Sequence, residues 1–124
     1  MNLVDSSAWL EYFADGPNAS FFSAAIEKSR EVIVPTIVVL EVYKRILQQR
    51  NERAALEAVA VLGQGRVIDL TATLAIAAAM LSHSEKLPMA DSIILATARA
   101  ENAIIWTQDR DFERFTGVKF RARK

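Results

Sequence analysis

The sequence predicts an α/β fold built on a parallel sheet. Three observations carry this: five short β-rich runs recur along the chain, helical segments rich in Ala, Leu, Glu and Arg separate them, and Gly or Pro stands at several junctions. Alternation of this kind argues for strands that run the same way and a sheet covered on both faces by its crossover helices.

The run NLV at 2–4 is the first strand, and Ser6–Ala14 predicts a helix that Gly16–Pro17 ends. A second helix is expected over Ser20–Arg30. EVIVP at 31–35 reads as the second strand, followed by helices over Thr36–Gln49 and Glu52–Leu62, the latter closed by Gly63 and Gly65. RVIDL at 66–70 is the third strand, and TATLAIAAAMLSHSE places Thr71–Glu85 in an alanine-rich helix. Pro88 precedes a helix over Ala90–Glu101, and AIIWT at 103–107 is the fourth strand. A short helix over Asp111–Phe115 follows, and Gly117 separates it from a last strand, VKF at 118–120.

With 124 residues, 52% of them hydrophobic, the chain has enough apolar material for one core, and a single domain over 1–124 is expected. It contains no cysteine and one histidine, which excludes disulfides and thiolate metal sites and leaves carboxylates as the available ligands. The 15 basic and 15 acidic residues cancel, so no global field draws the protein to nucleic acid or an anionic membrane. No stretch approaches the ~18 apolar residues of a membrane span, and no signal-peptide pattern opens the chain, so a soluble, cytoplasmic protein is expected.

In open parallel sheets the active crevice lies beyond the carboxyl ends of the strands. Asp5 follows the first strand, where it can cap the helix that begins at Ser6 by accepting from an N–H near Ala8. Glu41 lies within IVVLEVYKR, apolar on both sides, with Arg45 available as an i,i+4 partner. Asp91, in LPMADSIILATA, occupies the first turn of an apolar helix, where the helix dipole favours an acid. Asp109 and Asp111, in WTQDRDF, follow the fourth strand, and one of them can cap the next helix while the other faces solvent near Arg114. Capping does not explain the choice of acid, because Ser, Thr and Asn cap nearly as well. Anions gathered at one edge cost stability unless a cation sits between them, and an all-oxygen set suits Mg²⁺ or Mn²⁺ and phosphodiester hydrolysis.

LVDSSAW, VVLEVYK, LPMADSIILATA and IIWTQDRDF, in this order and spacing, resemble the PIN-domain ribonucleases, and within them the VapC toxins of toxin–antitoxin pairs. The resemblance spans essentially the whole chain. It implies a PIN-like three-layer sandwich with a central parallel sheet of four or five strands, and Mg²⁺- or Mn²⁺-dependent endonuclease action on RNA, tRNA or rRNA, leaving 5′-phosphate and 3′-hydroxyl ends. It also implies a homodimer restrained by a cognate VapB-like antitoxin. By position, Asp5, Glu41, Asp91 and Asp109 look like the family's metal-binding acids, Ser6 and Thr107 like supporting hydroxyls, and Asp111 like an acid less tied to chemistry.

Trp9, Tyr12 and Phe13 share one helical stripe, which is expected to be core or, under the resemblance, to meet the antitoxin. Basic residues cluster at Lys44, Arg45, Arg50 and Arg53, which read as a solvated face, and at Lys119, Arg121, Arg123 and Lys124, which offer a rim for RNA phosphates. The alanine-rich helix permits close approach either to the sheet or to a second subunit, and His83 near its end is expected at the surface. Two other readings compete: a housekeeping PIN nuclease of RNA processing, and a non-catalytic Mg²⁺-binding signalling domain such as a phosphoacceptor receiver. The receiver needs an acceptor Asp after a central strand and a later Lys, and WTQDRDF offers no such Lys.

Overall fold

The computed structural model describes residues 1–124. In chain order it comprises β1 (Asn2–Val4), α1 (Ser6–Phe13), α2 (Ala19–Ile26), β2 (Val32–Pro35), α3 (Thr36–Gln49), α4 (Glu52–Leu62), β3 (Arg66–Ile68), α5 (Ala72–Glu85), α6 (Met89–Ala100), β4 (Ile104–Thr107) and β5 (Val118–Phe120). Single 3-10 turns at Ser29–Glu31 and Arg110–Phe112 lead toward β2 and β5.

The five strands form one parallel sheet in the order β3-β2-β1-β4-β5, flanked by the six helices. This is the α/β sandwich that the strand and helix alternation predicts. Strands β1 and β2 lie inside the sheet, and Leu3, Val4 and all four residues of β2 are buried. The edge strands β3 and β5 carry Arg66 and Lys119 at exposed positions, charges that discourage pairing with another chain. Between the layers, Trp9, Phe22, Ile33, Leu62, Ile94 and Phe112 anchor one continuous core. No helix is long and apolar enough to cross a membrane.

Three elements end earlier than the sequence suggests, each for a physical reason. Helix α2 stops at Ile26 because its buried residues, Ala19, Phe22, Ala25 and Ile26, stop there, and the polar stretch beyond has no apolar face to bury. Strand β3 stops at Ile68, which pairs with Pro35, the last residue of β2; α3 begins at Thr36 and leaves no partner for Asp69 and Leu70. The helix expected over Asp111–Phe115 is one 3-10 turn, after which Gly117 at φ 72° turns the chain into β5. Gly65 is required by a close approach: a Cβ there would lie 2.9 Å from the Val32 carbonyl oxygen.

The topology also fixes where a site can form. From β1 the chain steps to β2 and β3 on one side, then returns to place β4 on the other side of β1. The carboxyl ends of β1 and β4 therefore flank a switch point, the crevice where open α/β sheets bind ligands.

Candidate active site

Asp5 stands at this switch point, at the end of β1. It caps α1 as expected, its Oδ1 accepting from the Ala8 N–H at 3.0 Å, and Ser7 donates to the same oxygen at 2.7 Å. Thr107, the last residue of β4, donates to Oδ2 at 2.5 Å. Oδ1 is thus saturated, while Oδ2 keeps acceptor capacity. Asp5 is only 3% exposed, and burial, against the hydrogen bonds from Ser7, Thr107 and Ala8, raises its carboxyl pKa from 3.8 to about 6.

The loop after β4 is tied to this carboxylate. The Asp109 N–H donates to the Thr107 hydroxyl at 2.8 Å, and the Gln108 N–H donates to the Ser7 hydroxyl at 3.1 Å. Asp109 in turn caps the following 3-10 turn, its Oδ1 accepting from the Asp111 N–H at 2.9 Å. This tight Asx turn aims a second acid back at the crevice.

From the other side, Asp91 projects from the first turn of α6, which Pro88 opens. Carboxylate oxygens of Asp91, Asp109 and Asp111 all lie within 4.8 Å of one another. Burial first, then a hydrogen bond that the protonated Asp91 carboxyl donates to Asp111, and the charges of Asp109, Asp111 and Asp5, push the Asp91 pKa up to about 8. Glu41, on α3, is half-buried, and its Oε1 accepts from the Ser6 hydroxyl at 3.0 Å. Burial raises its pKa, the Ser6 hydrogen bond opposes that, and the charge of Asp109 adds to it. The four expected acids and Asp111 therefore act on one another at one sheet edge.

Some placements differ from the expectations. Asp111, read as less tied to chemistry, is exposed as expected, and its carboxylate nonetheless joins the group formed with Asp91 and Asp109, while Asp5 and Glu41 lie outside that group. Arg114 pairs with Glu85 at 3.1 Å, and Arg45 makes no ion pair with Glu41. Ser7, Gln108 and Asn18 were missed as supports. Gln108 is buried and accepts from Asn18 Nδ2 at 2.7 Å. Only the doublet Ser6–Ser7 offered a sequence signal for any of them, since Asn18 and Gln108 meet through the fold. The donor set is hard and all oxygen, and a divalent cation would offset both the burial and the neighbouring charges that raise the Asp91 pKa, so the residues fit such an ion.

The sequence pattern of the PIN domain matches residues 3–118. The chain belongs to the PIN domain family. Solved structures similar to this PIN domain include a toxin–antitoxin complex from Klebsiella pneumoniae, with a TM-score of 0.80 and 23% identity over 96% of each chain. The sarcin-ricin-loop-cleaving toxin VapC20 of Mycobacterium tuberculosis gives a TM-score of 0.78 at 22% identity, over 96% of this chain and 99% of that one. VapBC2 from Rickettsia felis, bound to a promoter DNA fragment, gives 0.73 at 16% identity, over 98% and 97%. These are likenesses of fold. No curated protein matches the sequence.

The aromatic stripe of this PIN domain divides. Trp9 is 2% exposed and stacks on Phe13 with ring centroids 5.7 Å apart, so it is core and presents no surface to a partner, contrary to one of the two readings of the stripe. Tyr12 and Phe13 are half-buried and keep part of their rings at the surface. Of the expected RNA contacts, Lys119 lies over the Trp106 ring at 4.6 Å and Arg121 over the Phe21 ring at 4.2 Å, while Arg123 is exposed. His83 is exposed, as expected.

Proposed function

We propose that this PIN domain is an Mg²⁺- or Mn²⁺-dependent endoribonuclease, the toxin of a VapBC-like toxin–antitoxin pair, acting on tRNA or rRNA in the cytoplasm. The observation that carries the reading is the convergence of the Asp91, Asp109 and Asp111 carboxylates within 4.8 Å at the sheet's switch point, with Asp5 and Glu41 beside them.

Asp91, Asp109 and Asp111 would hold the cation, with Asp5 Oδ2 and Glu41 adjacent. Bound there, such an ion supplies the positive charge that acidifies water and stabilises charge on a phosphate. The remaining work falls to the chain. Thr107 and Ser7 keep Asp5 ionised and fixed by donating to it, against the burial that favours its proton. Ser6 orients Glu41, whose raised pKa suits it to accept a proton from an attacking water. The Asp109 cap fixes the 3-10 turn and with it the position of Asp111.

The surface and the relatives support the partners. Similar folds occur in toxin–antitoxin complexes, which supports a VapB-like antitoxin as the restraint on the site. For the homodimer, α5 offers Ile76 and Met80 at 64% and 68% exposure, and Met89 at the start of α6 is 78% exposed. Met89, Ala78 and Ile93 help line an apolar groove of about 540 Å³, which favours α5 as the face that serves a second subunit. The experiment is cleavage of a mixed tRNA and rRNA pool by antitoxin-free protein, with Mg²⁺ or Mn²⁺ and with chelator, beside Asp5→Asn. Metal-dependent cutting that the substitution abolishes is the expected result; a folded protein that cuts under no condition would overturn the nuclease assignment.

A further inference from the structure

We propose that Arg45 and Arg123 form a phosphate-binding subsite beside the acid centre that positions the RNA strand; the proposal rests on the nuclease reading above. The two arginines come from separate basic clusters, one on α3 and one in the tail after β5, and the fold brings them to one depression of about 420 Å³. Ser7 and Gln108 line the same depression. Ser7 donates to Asp5 and accepts from the Gln108 N–H, so the subsite is one side chain away from the acid centre. Arg45 also lines an adjoining depression of about 350 Å³ shared with Ser6, Glu41 and Lys44. The two depressions share Leu10 and Arg45 in their linings.

The second observation is the state of these guanidinium groups. Arg53, Arg66, Arg110 and Arg114 are each paired with a glutamate. Arg99, Arg121 and Lys119 lie over aromatic rings. Arg45 and Arg123 do neither, although Glu41 is one helical turn from Arg45 and Glu11 lines the same depression; Arg30 and Arg50 are also without an ion pair or ring, but neither lines this depression. Glu11 is committed elsewhere, its Oε2 accepting from the Asn18 N–H at 2.7 Å. The backbone next to Arg123 is held in place: Asn18 Nδ2 donates to the Ala122 carbonyl at 2.9 Å and to Gln108 Oε1 at 2.7 Å, pinning the tail against the loop after β4.

A strand that enters a cluster of acids meets repulsion at each phosphate, and free guanidinium forks offset it by bidentate hydrogen bonds to phosphate oxygens. Ser7 and Gln108 line the depression next to the acid centre, so the anion it takes is the backbone of the strand that the centre cuts.

The test measures binding of a fluorescently labelled, mixed-sequence single-stranded RNA to the full chain, by anisotropy in chelator across a KCl series. Arg45→Gln and Arg123→Gln should each weaken binding about tenfold and reduce the salt slope by about 0.7, while Arg53→Gln changes neither. Circular dichroism checks that each variant is folded, and with Mn²⁺ the same variants should raise KM more than they lower kcat. Unchanged affinity and slope in both variants, with wild-type cleavage intact, would overturn the subsite and leave the nuclease standing. Wild-type protein that neither binds nor cuts RNA would overturn the nuclease reading, and the subsite with it. Variants that keep RNA binding but lose binding to polyglutamate would reassign the depression to an acidic protein partner.

Discussion

The Thr107 hydroxyl donates to Asp5 at 2.5 Å while accepting from the Asp109 N–H at 2.8 Å, so one side chain joins the ends of β1 and β4 and orders two of the acids. Thr107→Val keeps the shape and removes both bonds. It should destabilise the fold by roughly 1–3 kcal/mol in denaturant titration, since a buried carboxylate loses a donor, and Thr107→Ser should restore most of that. Equal midpoints for the Val and Ser variants would show that the hydroxyl does not order the site.

Asp5 gives the metal-free protein a pH dependence of definite sign. Its pKa is 3.8 when unperturbed and about 6 in the fold, so its favourable contribution is complete below 3.8 and is lost as pH rises through 6. The loss is about 3 kcal/mol. Asp5→Asn should therefore flatten this part of the stability curve, leaving a variant more stable than wild type at pH 8 yet inactive. Parallel curves for the two proteins, measured by urea unfolding at pH 4 to 8, would refute the assignment.

Cation binding should release protons from the acid group. Burial and the neighbouring acids raise the Asp91 pKa to about 8, so at neutral pH an incoming divalent ion displaces a proton and apparent affinity rises as pH goes from 6 to 8. Calorimetry with Mn²⁺ in buffers of different ionisation enthalpy should show release of about one proton per ion at pH 7. Asp111→Asn removes a contributor to the Asp91 shift and should reduce both the proton count and the affinity, the latter by about 10–100-fold. Buffer-independent heats would contradict this.

Trp9 and Phe13 separate stability from recognition. Trp9→Ala empties a core position and should cost about 3–5 kcal/mol, unfolding a large share of the protein. Phe13→Ala, at a half-buried position, should fold and serve as the fair test of antitoxin contact, read as weaker binding in calorimetry. A stable Trp9→Ala variant would contradict the packing.

Met80→Glu places a charge on the exposed apolar face of α5 and should yield a monomer in sedimentation velocity with its helix content unchanged. A dimer that persists would move the interface to another face.

Much of the fold was legible in the sequence because the signals were local. The β-branched run EVIVP and the alanine-rich stretch after Thr71 name their own secondary structure, and Pro88 and Gly117 mark their own boundaries. Where the reading overran, at Ile26 and Ile68, the stop was set by what the neighbouring residue could bury or pair with. The acids were legible as types at strand and helix ends, whereas Asp111 was underrated because its convergence depends on the Asp109 turn.

The sequence by itself determined the chemistry available: no thiol, a single imidazole, and acids where strands end and helices begin. Tertiary structure alone decided which of them meet, because placing β4 beside β1 joins Thr107 to Asp5 and brings Asp91 against the loop that carries Asp109 and Asp111. It also decided the fate of the other charges, since ion pairing and ring stacking occupy six of the ten arginines, and of the four left free the fold brings Arg45 and Arg123 to one depression with Ser7 and Gln108. Composition records that charges balance; only distance decides which of them cancel.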